Sequence, residues 1–278
     1  MTQTLADARR HYVEQIKARA QVTSSRILKA YRDVPRERFL GEGPWRIRSD
    51  IVSAYGSTES ANPADIYHDV LVALDEDRRL DNGLPSLWAL LFEALDLKTG
   101  ESVVQIGCGT GYYTAILADI VGHSGHVTAI DSDPGFAAQA KQLLGEHDNV
   151  QVVHGDGCQL PFDSVDAIVV HAGASHPYAA WLDALAMGGR LQFTLTSAGR
   201  QGIVFQITRT PLGFEAEALR RIEIFPCDEG DNKTDANLRL SFWNPITSGI
   251  KSLRRDQHEE DETCWAHAEN FCLSRLAL

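Results

Sequence analysis

Residues 107–111 read Gly107-Cys108-Gly109-Thr110-Gly111, and the apolar run "SVVQI" leads directly into them. Three glycines at alternate positions after a β-branched strand let the backbone approach a ligand closely and present N–H groups to it. A dinucleotide, a phosphate group and a sulfonium cofactor are the candidate ligands. A dinucleotide fingerprint spaces its glycines G-x-G-x-x-G. Here the sixth position is Tyr112 and the third glycine comes one residue early. No Lys-Ser/Thr pair follows, so a nucleoside triphosphate loop is excluded. The spacing suits S-adenosyl-L-methionine, whose aminoacyl arm needs no seat for a pyrophosphate.

Two carboxylates extend the pattern. Asp131 ends the next apolar run, "HVTAID", where an acidic side chain can accept ribose hydroxyls. Asp156 follows a third, "VQVVHGD", where a carboxylate can take an adenine amino group. Their neighbours Ser132 and Gly157 join Gly107–Gly111 and Tyr112 in the candidate cofactor set. Either aspartate could instead be a plain helix cap or turn former. Cys108 sits inside the loop, where its small size matters more than its thiol.

These residues need strands that end together, and the surrounding pattern supplies them. Apolar runs of strand length alternate with helical segments: "SVVQI", "YYTAILADIVG", "HVTAID", "PGFAAQAKQLLGE", "VQVVHGD", "VDAIVVHAG", "YAAWLDAL" and "GRLQFTL". Such alternation predicts an α/β fold, a doubly wound and mostly parallel sheet covered on both faces. "GIVFQITRT" and "FEAEALRRIEIFP" read as further strands, antiparallel at the edge. Upstream, apolar positions at helical spacing predict two helices stopped by Pro35, then loops with short helices over 41–80, then a helix from Pro85. The expected organisation is 1–85 for helices and substrate-side loops, 86–230 for the cofactor-binding core and 231–278 for an appended extension.

Composition narrows the classes. The 278 residues carry a formal charge of −12, against nonspecific nucleic-acid binding, which depends on Lys and Arg. No apolar run approaches a membrane span, and the charged N-terminus lacks a signal core. Five cysteines without a C-x-x-C pair suggest reduced thiols, hence a cytoplasmic protein. His258, Cys264, His267 and Cys272 have the residue types of a metal site, but their spacing matches no common pattern, so no metal is expected. The neighbouring "DQHEEDE" reads as a solvated charge run. Trp265 and Phe271 are expected to pack the extension on the main domain or on a second subunit.

The chain resembles the protein-L-isoaspartate O-methyltransferase family of class I S-adenosylmethionine-dependent methyltransferases over roughly residues 25–230. The likeness lies in "RILKAYRDVPRERFL", in Tyr67-His68-Asp69, in the helix–strand–helix "LWALLFEALDLKTGESVVQIGCGTGYYTAILADIVG", in "FDSVDAIVVHAGASHP" and in the last strands. It implies a seven-stranded methyltransferase fold, S-adenosyl-L-methionine as cofactor and a protein or peptide carboxylate as acceptor. Tyr67 and Asp69 would then border the acceptor pocket, with Asn82 flanking it; a structural turn is the other reading. Gly83 stands where family members carry a substrate-side serine, the charged "DEDRRLD" replaces a Gln- and Thr-containing run, and Gln105 replaces a common acidic residue. The cofactor half of the pattern is kept and the substrate half rewritten.

A carboxylate acceptor is ionised at neutral pH and needs no general base. A hydroxyl or amine acceptor would use one. His171, at the end of the fourth strand, is the candidate, with a loop-bonded structural histidine as the alternative. His176, beside Pro177, reads as a turn residue. The leading reading is a carboxyl O-methyltransferase. The alternatives are a methyltransferase of the same fold for a modified peptide or small metabolite, and a non-catalytic S-adenosylmethionine-binding protein.

Overall fold

The computed structural model describes residues 4–52, 54–160, 163–196, 201–224, 247 and 249–278. Two helices come first, α1 (Leu5–Ala20) and α2 (Ser25–Asp33). The Thr4 and Ser24 side chains cap their first turns, and α2 ends at Val34 ahead of Pro35, as the sequence predicts. Four short strands follow, β1 (Arg46–Arg48), β2 (Gly56–Ser57), β3 (Leu71–Asp75) and β4 (Leu80–Asp81). Next come α3 (Pro85–Leu95), β5 (Ser102–Ile106), α4 (Tyr112–Val121), β6 (His126–Asp131), α5 (Pro134–Leu143) and β7 (Val150–His154). The chain continues through β8 (Val165–Ala174), α6 (Ala179–Ala184), β9 (Leu185–Thr196), β10 (Gln201–Thr210) and β11 (Gly213–Glu223). It closes with β12 (Ser252–Arg254), β13 (Cys264–Ala268) and β14 (Phe271–Ser274). Among the described residues no helix is long and apolar enough to cross a membrane.

Contacts divide the chain into two units, and the division differs from the expected one. The first holds residues up to Glu101 with Cys108–Gly155; the second holds Ser102–Gly107 with everything from Asp156.

In the first unit α1 packs on α3 and α2 on α4 around an aromatic cluster. Tyr12, Tyr31, Phe39 and Tyr112 are all buried there, with Tyr12 and Tyr31 rings 6.2 Å apart and Phe39 and Tyr112 rings 5.9 Å apart. Strands β6 and β7 run parallel, with Asp131 paired to His154 at their carboxyl ends. The stretch expected to be loops with short helices also contains a small antiparallel sheet in the order β2-β1-β3-β4. Charge pairs from the rewritten segment support it: Arg46 forks onto Glu76 at 2.8 and 3.0 Å, and Arg48 and Tyr55 both reach Asp81.

The second unit contains eight strands ordered β13-β14-β12-β11-β10-β9-β8-β5. Pairing is parallel at β5–β8 and β8–β9 and antiparallel from β9 outward. The sheet is therefore mixed, and this unit alone exceeds the seven strands expected. The four residues Ala167–Val170 of β8 are all buried, as a strand covered on both faces requires. The extension beyond 231 packs on this sheet as expected of Trp265: β12 pairs with β11, and the Trp265 ring lies tilted against Phe205 of β10 at 5.6 Å. Residues 231–246 lie outside the described residues.

Candidate functional site

In the first unit, the carboxyl end of β6 and the start of α4 share one set of hydrogen bonds. Gly109 and Gly111 adopt φ of 54° and 95°, where side chains are disfavoured, as does Gly107 of the second unit at 79°. A Cβ on Gly111 would stand 2.7 Å from Leu144 Cδ1, so that glycine lets α4 close on the end of α5. Gly109 N–H donates to Asp131 Oδ2 at 2.7 Å, and Asp133 N–H donates to Asp131 Oδ1 at 2.9 Å. Burial pushes the Asp131 carboxyl above its usual range, and those two donors pull it back. A carboxylate oxygen accepts more than one hydrogen bond, so Asp131 retains capacity for two ligand hydroxyls.

Its neighbours set this geometry. Asp133 caps α5 through Gly135 N–H and Phe136 N–H and also takes a 2.6 Å bond from Arg78, out of the charged "DEDRRLD" stretch. Ser132 is exposed, and Thr110 is buried. Cys108 is buried and its thiol is pushed up by burial, in keeping with a role for size. Tyr112 departs from expectation: its hydroxyl meets Tyr12 at 3.0 Å inside the aromatic cluster, so only its backbone is left for a ligand.

In the second unit Gly107 lies against His171, where an added Cβ would be 3.6 Å from the His171 backbone and Cβ. Gly157 is buried, its carbonyl accepting from Trp181 Nε1 at 2.8 Å, and a Cβ there would meet Ile106 Cγ2 at 2.6 Å. Asp156 is exposed and holds a turn, accepting from Cys158 N–H at 2.9 Å and Gln159 Nε2 at 2.8 Å. Its turn-forming reading thus has support beside the ligand one. Burial drives the His171 pKa down to about 3, which makes the ring neutral and a far weaker base than the candidate role requires. His176 stacks on Tyr178 at 4.2 Å.

The expected substrate-side residues are spent on internal bonds. The Tyr67 hydroxyl accepts from Arg9 Nε at 2.9 Å and Arg36 N–H at 3.0 Å and donates to Glu37, and burial beside that carboxylate raises its pKa. Asp69 caps α3 from a distance, accepting from Ser86 N–H at 2.8 Å, and pairs with Arg19 at 2.9 Å. Asn82 is buried with its Oδ1 facing Arg36 and Val72 N–H. Gly83 offers no side chain, and both its backbone groups are engaged, N–H to Asp81 and carbonyl to Tyr113. At φ 77°, a serine Cβ would collide with the indole of Trp88, with Cδ1 at 2.9 Å.

Arg36 organises this region and was missed in the sequence. It is fully buried, donates to the carbonyls of Ile66, His68 and Val70 at 2.6–2.8 Å, and lies over the Tyr12 and Tyr112 rings. Its place in "DVPRERF" was the available signal. Despite their spacing in the sequence, the ligand atoms of His258, Cys264, His267 and Cys272 lie within 4.8 Å of one another.

The family model for protein-L-isoaspartate(D-aspartate) O-methyltransferase matches residues 7–211. A protein-L-isoaspartate O-methyltransferase of Rhodopseudomonas palustris is 35% identical over 234 residues, 82% of this chain and 86% of the relative. The chain belongs to the protein-L-isoaspartate O-methyltransferase family. Another relative, from Aeropyrum pernix, is 32% identical over 243 residues, 85% of each chain. The fold agrees: a structure described as a protein-L-isoaspartate O-methyltransferase of Plasmodium falciparum with S-adenosyl-L-homocysteine superposes with TM-score 0.64 at 18% identity. That match covers 80% of this chain and 99% of the other. As a family member this protein is an S-adenosyl-L-methionine-dependent methyltransferase, of a family that acts on proteins.

Proposed function

We infer that this protein methylates the carboxylate of isoaspartyl residues in proteins or peptides. The observation that carries the reading is the Asp131 carboxylate, fixed by Gly109 N–H at the tip of β6 with acceptor capacity to spare. Polar donors and acceptors of this kind suit a ribose, and the glycines leave room for backbone approach. Cys108–Gly111 and the Tyr112 backbone would hold the cofactor's aminoacyl arm, and Asp131 and Ser132 its ribose. When bound, S-adenosyl-L-methionine supplies a methyl group on a sulfonium.

The protein's own residues do the positioning. An acceptor carboxylate is already ionised at neutral pH, so a base is unnecessary, which agrees with a neutral His171. Orientation alone can lower the barrier of such a transfer by as much as about 7–11 kcal/mol. The four described cysteines are free thiols, which supports a reducing, cytoplasmic setting.

The test uses methyl-labelled S-adenosyl-L-methionine with an isoaspartyl peptide and its ordinary aspartyl counterpart. Label should enter the isoaspartyl peptide alone and leave as methanol in mild base, as a carboxyl ester does. A base-stable product, or none from protein that binds S-adenosyl-L-homocysteine by calorimetry, would refute the acceptor. Asp131→Ala removes charge-assisted hydrogen bonds worth about 1.5–3 kcal/mol each and should weaken that calorimetric affinity at least about tenfold. Unchanged affinity would refute the ribose assignment.

A further inference from the structure

We propose that His258, Cys264, His267 and Cys272 form a structural zinc site that fastens the C-terminal hairpin. In sequence they read H-x5-C-x2-H-x4-C, a spacing without the close cysteine pair of common zinc sites. The fold supplies what the spacing lacks. In the β13–β14 hairpin His267 faces Cys272 across the ladder, so both side chains share one face. Cys264, an odd number of residues before His267, would point to the opposite face of a regular strand. The register shifts between Cys264 and Ala266, and the extra residue, Trp265, turns Cys264 onto the face of His267 and Cys272. His258 arrives from the loop after β12, with its Nε2 3.5 Å from Cys264 Sγ and its ring 4.7 Å from that of His267.

Two further contacts and one unpartnered atom fit a metal centre. His258 Nδ1 lies 3.1 Å from the Asp256 carbonyl and 3.4 Å from the Asp256 carboxylate, which Arg254 holds in turn. A ligating histidine is characteristically oriented through its other nitrogen in this manner. Asp261 N–H points at Cys264 Sγ from 3.5 Å, the approach of a donor to a metal-bound sulfur. His267 Nδ1 is buried with no hydrogen-bond partner. That is a costly state for an imidazole nitrogen, and a metal bond at the ring changes it.

The donor set selects the ion. Two thiolates and two imidazoles in a closed group of four favour tetrahedral Zn²⁺ over Mg²⁺ or Ca²⁺, and leave no open position for catalysis. Zinc–sulfur bonds of about 2.3 Å and zinc–nitrogen bonds of about 2.0 Å put tetrahedral donors roughly 3.3–3.8 Å apart. Donors already within 4.8 Å of one another need shift by only about 1 Å to meet that. The acidic run "DQHEEDE" adds negative charge next to the cluster.

Elemental analysis of the full-length protein, purified without chelator from zinc-supplemented cells, tests the site without measuring methyl transfer. About one zinc per chain is expected, and near none in Cys272→Ser or His267→Ala. Because those variants interrupt a buried hairpin, two other measurements stand beside them. His258→Gln alters only the loop ligand and should lower zinc retention against a chelator while leaving the fold intact. Metal-free wild-type protein titrated anaerobically with Co²⁺ should develop tetrahedral d–d bands and thiolate-to-cobalt charge transfer, saturating at one equivalent. Folded wild-type protein that takes up neither ion, or that carries a Cys264–Cys272 disulfide by intact mass, would overturn the proposal.

Discussion

Restoring the family serine at position 83 should damage the protein. Gly83 has φ of 77°, and holding a non-glycine residue in the left-handed region costs about 1–2 kcal/mol. The new Cβ would also press on Trp88, whose indole packs against Phe92 and Tyr113 at 6.1 and 5.8 Å and cannot retreat cheaply. Overpacking of this kind costs about 1–3 kcal/mol. Together the two effects give roughly 2–5 kcal/mol, a fall in melting temperature of roughly 4–20 °C for a chain this size. The measurement is differential scanning calorimetry of wild type, Gly83→Ser, Trp88→Ala and the double variant. Trp88→Ala opens space, so the double variant should be more stable than the sum of the two single losses predicts, the non-additivity marking the clash. A Gly83→Ser protein that melts with the wild type would refute the steric argument. It would reopen the view that the serine was simply lost from a substrate pocket.

Two other outcomes follow from the buried polar groups. The His171 ring titrates near 3 when folded and near 6.5 when unfolded, so below pH 6.5 protonation favours the unfolded chain. The stability carried by the neutral ring is complete above about pH 7 and falls by about 2 kcal/mol between pH 7.5 and 5. Urea unfolding of wild type and His171→Gln at both values should show the variant losing less by that amount, and parallel losses would contradict the shift. Arg36→Met strips hydrogen bonds from the buried Ile66 carbonyl, at about 1–3 kcal/mol, and from the partly buried His68 and Val70 carbonyls at less, and should lower the melting temperature. Arg36→Lys, a point charge in place of a fork, should recover only part of it; a full recovery would show that geometry is immaterial.

The α/β core was legible because its signals are local. β5, α4, β6 and α5 each follow from a contiguous apolar pattern bounded by glycine or proline, and Asp131 was readable as the last residue of such a strand. The small sheet of the first unit was not, since strands of two to five residues joined by Arg and Asp side chains have no alternation to detect. Tyr67 looked like a pocket residue because the fate of its hydroxyl depends on Arg9, 58 positions away. Sequence spacing does not bring the hairpin's histidines and cysteines together, because spacing rules presume regular strands and the bulge at Trp265 changes the face on which Cys264 lies.

The three carbonyls gripped by Arg36 belong to alternate residues of one short segment, Ile66 to Val70. A single guanidinium thus acts as a splint along it. That segment should resist proteolysis in the resting enzyme, and its stiffness predates any encounter with a damaged polypeptide. Whatever adaptability acceptor recognition demands has to be found elsewhere in the chain.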